Sequence, residues 1–396
     1  MKKLFSVRFL TLWCFVLLLG LLLVPSLHPF AGETLRQVRK SLAGEGFSIP
    51  EIEEGYNGRL PGREAFVTLN GGFRRLLGER AVNERYKLSN GQLTYVIPAL
   101  DMTGIAANTV AFSEALEQAG IPFLYVNTPF KTDPSDKQLP VGVEDYANEN
   151  ADRFLALLRE GGVDTLDLRE RERVEGLDHY SLFYPTDHHW TAETGFWAFT
   201  EIVDALTQRD ASFAVDARIL DDNSYDHTVY PHCYLGSHGR RVGPWYAGMD
   251  DLTVITPRFE TSVRLVLAYE GVEREGSFQE AFLFPEKLEG SPFENSRYDV
   301  YLGGEYSRMQ FHNRSRGENL AVESTPKRLL VFKDSFSLVV APFLALGYDE
   351  VEFVDLRLFG SGIVDYIRAF DPDAVIVLYN PGALEDNNWG MLDFLR

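Results

Sequence analysis

Leu329-Leu330-Val331-Phe332-Lys333-Asp334-Ser335-Phe336-Ser337 is the stretch whose reading decides the fold. Its four leading apolar residues predict a strand buried on both faces, as in a parallel sheet covered by helices. Polar residues then break the run, and Phe336 to Gly347 reads as a helix ended by its glycine. The pattern repeats downstream. Val351 to Val354 predicts a strand, Gly362 to Phe370 a helix stopped by Asp371-Pro372, and Ala374 to Tyr379 a third strand. It repeats upstream as well, with strands at Leu93 to Ile97, Phe123 to Val126 and Thr165 to Leu168. Helices are expected between them, at Asn108 to Gly120 with an asparagine cap and at Ala147 to Arg159. Short apolar runs alternating with helices indicate βαβ units, so the fold class is α/β with a parallel sheet.

The rest of the chain reads differently. Residues 208–325 show mostly period-two alternation, as in Leu252-Thr253-Val254-Ile255 and Arg264-Leu265-Val266-Leu267, and are expected to form a β-rich insertion. Residues 31–90 are charged and carry many glycines, and are read as a connecting region ahead of a catalytic domain over 91–396. At the N-terminus Lys2, Lys3 and Arg8 precede an apolar run from Phe9 to Leu27. Nineteen helical residues reach roughly 28 Å, about the thickness of a bilayer core. The expectation is a signal anchor over residues 1–30, with the basic tip in the cytoplasm and the bulk of the chain outside. A cleaved signal peptide and a buried core helix are the competing readings.

Composition excludes some functions. Lys and Arg number 38 against 58 Asp and Glu, a formal charge of −20. Such a surface repels phosphate backbones, so nucleic acid is not an expected partner. A strongly anionic substrate would need a locally basic cleft. The two cysteines, Cys14 and Cys233, form no CxxC pair, so no structural zinc site and no cofactor is read here.

Ser335 falls where a parallel strand meets a helix, at the strand's carboxyl end, where α/β proteins place their sites. Free N–H groups of the helix start could steady an oxyanion formed when Ser335 attacks an acyl carbon. The plain alternative is that Ser335 or Asp334 only caps the helix. A base is supplied by Thr186-Asp187-His188-His189-Trp190-Thr191. Asp187 and His189, two apart, share a face of an extended segment, so the carboxylate can orient the imidazole. Thr191 can cap the helix that follows. A metal site built on Asp187, His188 and His189, or a structural histidine, are the alternatives. Adjacent histidines on an extended segment are expected to point apart, which disfavours the metal. Asn380, ending the Ala374 to Tyr379 strand, and Gly360 or Gly362, after the preceding strand, are candidate oxyanion donors. Candidate substrate contacts are His188, the aromatics Tyr184, Trp190 and Trp245, and Arg240 and Arg241 of Gly236-Ser237-His238-Gly239-Arg240-Arg241, which otherwise reads as an exposed turn. The role of Lys333 stays open.

Taken together, Thr186 to Thr191 and Leu330 to Phe336 resemble the signature blocks of the DHHW family, similar to the periplasmic alginate O-acetyltransferases and to the SGNH hydrolases. The resemblance spans roughly residues 60–390. It implies a flavodoxin-like SGNH hydrolase fold in permuted order, with the Asp-x-His block before the serine. Lys333 stands where the family's usual Gly-Asp-Ser has its glycine. Carried over motif by motif, Ser335 would be the nucleophile, His189 the general base, Asp187 its orienter and Asn380 an oxyanion donor. The Asn380 transfer lacks the usual Gly-x-Asn-Asp context. The implied activity is transfer of an acetyl group to a cell-surface or secreted polysaccharide, with an integral-membrane acyltransferase as the acetyl donor. A carbohydrate esterase using the same residues and a non-catalytic glycan-binding or scaffold protein of an export complex are the other readings.

Overall fold

The structure is a computed structural model that describes residues 7–43, 48–58, 60–267, 269–315, 326–359 and 362–389. The chain divides into two compact units, Met1–Phe73 and Arg74–Arg396. The boundary therefore falls inside the stretch read as a connecting region, which itself holds helix Ile49–Gly58.

In the first unit one helix, Val7–Leu42, contains the apolar run expected to span a membrane. That helix does not stop where the run stops. It continues through Glu33, Gln37 and Lys40, and Gln37 and Lys40 both bind Glu51 of the next helix, at 2.6 and 2.9 Å. Among the described residues no helix is long and apolar enough to cross a membrane. The expected transmembrane anchor therefore finds no support.

The second unit is organised by one sheet, eight strands among the described residues. We label them β1 (Phe123–Asn127), β2 (Thr165–Asp167), β3 (Val263–Leu267), β4 (Val272–Gly276), β5 (Arg308–Asn313), β6 (Arg328–Lys333), β7 (Glu350–Val354) and β8 (Ala374–Tyr379). The order across the sheet is β2-β1-β8-β6-β7-β5-β3-β4. The first five are parallel, with Val331 facing Ile376 on one side and Phe353 on the other. The last three run antiparallel. Counting from β6, the parallel strands β7-β6-β8-β1-β2 read 2-1-3-4-5, the flavodoxin order. The permuted order implied by the motifs is thus visible in the connectivity: the chain enters a flavodoxin-like sheet at its fourth strand.

The apolar runs explain the layers. Leu329, Val331, Val351, Phe353, Ile376 and Leu378 pack on one face with Phe196, Phe199 and Phe343. Their neighbours Leu330, Phe332, Val354, Val375 and Val377 pack on the other with Phe112, Phe154 and Ile367. Alternation through strands apolar on both sides builds two cores at once.

Several expectations are corrected. Leu93–Thr94 is a strand, but it pairs with Arg85–Lys87 in a separate small sheet. The helix expected from Asn108 begins at Thr103, where Asp101 accepts the Thr103 N–H, so Asn108 lies inside it. Within the stretch read as a β-rich insertion, β3, β4 and β5 extend the main sheet. The stretch also holds short helices and a long hairpin, Tyr225–Tyr234 with Asp250–Pro257. The helix after Ser335 is split into a 3-10 turn, Ser335–Val339, and a helix, Ala341–Gly347, that has Pro342 in its first turn.

Helix Ala192–Arg209 crosses the Ser335–Val339 turn at Gly195. A Cβ there would stand 2.3 Å from Val339 Cγ2 and 2.9 Å from its Cβ, closer than rotation of the valine relieves. Gly195→Ala should therefore lower unfolding free energy by about 1–2 kcal/mol in urea titration, overpacking outweighing the roughly 1 kcal/mol helix preference of alanine.

Candidate active site

The turn that presents Ser335 is set by the residue before it. Asp334 ends β6 with an extended backbone, and its Oδ1 accepts the Phe336 N–H at 2.9 Å. Its Oδ2 accepts the Asn380 N–H at 2.6 Å, so one carboxylate ties together the carboxyl ends of β6 and β8. Burial pushes the Asp334 carboxyl up to about 6, against those two N–H groups, which favour its charge. Asp334 thus caps the turn, as expected, while Ser335 remains available. β6 is the strand from which the sheet order departs in both directions, the switch point where α/β folds bind ligands.

The second segment is a tight loop closed by a bridge between Phe183 and Trp190. Thr191 caps helix Ala192–Arg209, accepting the Thr194 N–H. The Trp190 ring N–H donates to the Phe336 carbonyl at 2.9 Å, which joins this loop directly to the serine turn. The loop's interior carbonyls are gathered by one cation. Lys131, almost wholly buried, donates to Leu93 O at 2.9 Å, Tyr184 O at 2.6 Å and the Asp187 carbonyl. Burial pushes its ammonium down, while Asp250 and Asp187 pull the other way. Asp250 holds the Thr186 N–H and hydroxyl at 2.9 and 2.7 Å.

These anchors bring Ser335 Oγ within 2.7 Å of His189 Nε2, across 146 positions of chain. His189 Nδ1 lies 3.3 Å from Asp187 Oδ1, inside ion-pair reach but off the line of a hydrogen bond. The Tyr298 ring stacks on His189 at 4.2 Å and 12°. Asp187 is almost wholly buried. Its Oδ1 accepts from His188 N at 2.6 Å and from Ser237 Oγ at 2.7 Å, and its Oδ2 accepts from the Tyr234 hydroxyl. Burial pushes this carboxyl up, but His189 and His188 outweigh it and hold it well below the usual range. Burial pushes the His188 ring down, and the neighbouring His189 adds to that.

The candidate site residues divide. Ser335, His189, Asp187 and His188 come together. Trp190 and Tyr184 do not serve as sugar platforms: both are buried, Trp190 on Phe336 and Tyr184 edge-on to Tyr234, so they pack the loop. Both Asn380 amide hydrogens are spent on Thr128 Oγ1 at 3.1 Å and Pro129 O at 3.0 Å, which makes it a brace between loops, not an oxyanion donor. Gly360 lies outside the described residues. Gly362 takes a left-handed φ of 89° at the start of helix Ile363–Phe370. Arg240 is half-buried on helix Ser237–Val242, and its charge reaches Tyr234 and Asp299; Arg241 and Trp245 are exposed. The Gly236 to Arg241 stretch is thus a helix whose first residue touches Asp187, not an exposed turn. Lys333 is buried, 3.3 Å from Asp355 Oδ2, and Arg357 binds both Asp355 and Glu305.

Sequence reading missed Lys131, Tyr234, Ser237 and Tyr298. Ser237 lay in a stretch already singled out. The other three are single residues in no recognisable motif, with nothing to mark them. It also misplaced the two histidines. Their rings lie 3.8 Å apart, tilted by 37°, because the backbone here turns and is not extended. Donor atoms of Asp187, His188 and His189 fall within 4.8 Å of one another, close enough to hold a metal ion. Yet Asp187 Oδ1 and Oδ2, His188 Nδ1 and His189 Nε2 all have protein partners, which an ion would have to displace.

Against known proteins, residues 98–218 match the family described as SGNH hydrolase-like domain, acetyltransferase AlgX. That span includes Asp187 and His189 and ends before Ser335. Among solved structures, Bacillus cereus PatB1 is similar at a TM-score of 0.61 and 21% identity, over 74% of this chain and 94% of that one. PatB1 with a sulfonyl adduct gives 0.61 and 20%, over 77% and 95%. A DHHW family protein from Eubacterium siraeum gives 0.58 and 14%, over 79% and 95%. Among curated proteins none matches the sequence. The resemblance drawn from the motifs therefore stands, to an SGNH hydrolase-like domain of the AlgX kind with a DHHW protein among its structural neighbours.

The Asp334 reading carries a testable sign. Its carboxyl titrates higher folded than unfolded, so its stabilising contribution is whole below about pH 4 and is lost as pH rises through about 6. Asp334→Asn removes that titration. Between about pH 4 and about pH 7 the wild type should lose up to roughly 3 kcal/mol relative to the variant in parallel urea titrations.

Proposed function

We propose that this chain, carrying an SGNH hydrolase-like domain of the AlgX kind, is an O-acetyltransferase that passes an acetyl group through Ser335 to a polysaccharide hydroxyl. The observation that carries this reading is the 2.7 Å contact between Ser335 Oγ and His189 Nε2 at the carboxyl end of a central parallel strand. An imidazole at that distance can take the hydroxyl proton as the oxygen attacks an acyl carbon. Asp187, kept ionised by its donors, favours the imidazolium that results. The Ser335 backbone N–H, at the start of the turn, is the candidate donor to the developing oxyanion. In the first half-reaction the Ser335 proton passes through His189 to the leaving group. In the second, a sugar hydroxyl gives its proton to His189, attacks the acetyl carbon and releases Ser335, which regains the proton. Water in place of the sugar makes the same residues an esterase.

A cell-surface or secreted polysaccharide as acceptor and an integral-membrane acyltransferase as donor follow from the family resemblance. Placement of the second unit outside the cytoplasm follows from the resemblance to periplasmic proteins, and Lys2, Lys3 and Arg8 ahead of the apolar run also fit a cleaved export signal. The clustering of Asp187, His188 and His189 supports one other reading, a metal-dependent hydrolase.

A fluorophosphonate should label the full chain, and Ser335→Ala should abolish the label. His189→Ala should slow labelling and acetyl release from p-nitrophenyl acetate by about 10²–10⁴-fold. A chelator should leave both unchanged. Equal labelling in wild type and Ser335→Ala would remove the serine mechanism, and activity lost to chelator and restored by zinc would establish the metal one.

A further inference from the structure

Asp187 holds two imidazoles where a serine mechanism needs one. His188 Nδ1 lies 2.9 Å from Asp187 Oδ1 and His189 Nδ1 lies 3.3 Å from the same oxygen, with the rings 3.8 Å apart. Proton bookkeeping fixes the tautomer of His188. The Ser237 hydroxyl has one hydrogen and donates it to Asp187 Oδ1 at 2.7 Å, so its oxygen can only accept from His188 Nδ1 at 2.8 Å. Nδ1 therefore carries the hydrogen and Nε2 presents a lone pair. Among the described residues Nε2 has no hydrogen-bond partner. The His188 side chain is 28% exposed against 11% for His189, so it is the more open of the two rings. The two rings lie 3.8 Å apart, tilted by 37°, each with its Nδ1 near the same Asp187 oxygen.

We propose that His188 Nε2 accepts a hydrogen bond from the acceptor hydroxyl adjacent to the one that attacks, so that the enzyme selects sugars with vicinal free hydroxyls and directs acetyl to them instead of to water. This rests on the reading of Ser335 as acetyl carrier. His189 takes the attacking hydroxyl's proton, the new O–C bond forms as the Ser335 Oγ–C bond breaks, and Oγ receives that proton. His188 gains and loses none. It positions the second hydroxyl beside the reacting one.

The test uses p-nitrophenyl acetate as donor and trans-1,2-cyclohexanediol or cyclohexanol as acceptor, with the full chain. The quantity read is ester formed divided by acetate released. Both products drain the same acetyl-enzyme, so a folding defect lowers both and leaves the ratio alone. With the diol, the ratio should fall at least tenfold in His188→Ala and recover in part in His188→Gln, whose side-chain carbonyl restores an acceptor. With cyclohexanol, the three proteins should give the same ratio. A diol ratio unchanged in His188→Ala, an equal fall for both acceptors, or no transfer to the diol by the wild type would overturn the inference alone. Acetyl release that survives Ser335→Ala would instead overturn the functional reading beneath it.

Discussion

One buried carboxylate sets the terms for the rest of the site. Removing an ion from water is expensive unless hydrogen bonds and opposite charge replace the solvent. Asp187 is supplied from two directions: by His188 and His189 on its own loop, and by Tyr234 and Ser237 from the hairpin and the helix after it. The approach has to be close. A Cβ on Gly236 would stand 2.4 Å from Asp187 Cβ and 2.6 Å from Thr186 O, so only glycine lets the two segments meet. Lys131 and Asp250 then fix the carbonyls and amides on either side. A carboxylate held this way cannot drift, and neither can the ring it faces.

The serine side is built on a different logic. There the sheet itself does the positioning. Asp334 spans two neighbouring strand ends, so the direction of Ser335 follows from the β6–β8 pairing and not from loop packing. The two halves meet through Trp190 on the Phe336 carbonyl and through Gly195 on Val339. A rigid strand end therefore carries Ser335, and a multiply anchored loop carries His189, an arrangement that holds the contact between them fixed.

What could be read from sequence was what repeats or recurs. Strands such as Leu329 to Phe332 and Ala374 to Tyr379 are apolar on both faces, and only a doubly covered sheet makes use of that. Ser335 was legible because the strand-to-helix punctuation marks its corner, and Asp187 and His189 because their motif recurs in a known family, although the extended segment assumed for them is a turn. Contacts made across the fold left no such mark. Trp190 and Tyr184 looked like sugar platforms because an aromatic in a motif does not state whether it is covered. Asn380 looked free because Thr128 and Pro129, its partners, lie some 250 positions away. Leu93 and Thr94 have the composition of a core strand, but their partner strand is a short local one. The two histidines were placed apart by a rule for extended chain that a turning backbone does not obey.

The shuffled strand order has a consequence for how the molecule is made. β8, the last strand among the described residues, sits in the middle of the parallel array, between β1 and β6. As the polypeptide emerges, β1 and β2 can pair early, but the inner edge of β1 has no neighbour until the final strand is synthesised. That edge must wait open, exposed to self-association, through some 250 residues of elongation. Closure of the sheet is also the event that ties Asn380 to Asp334 and so completes the serine turn. Maturation of the second unit is thus tied to arrival of the C-terminal strand, and a chain that stops short of it lacks the centre of its own sheet.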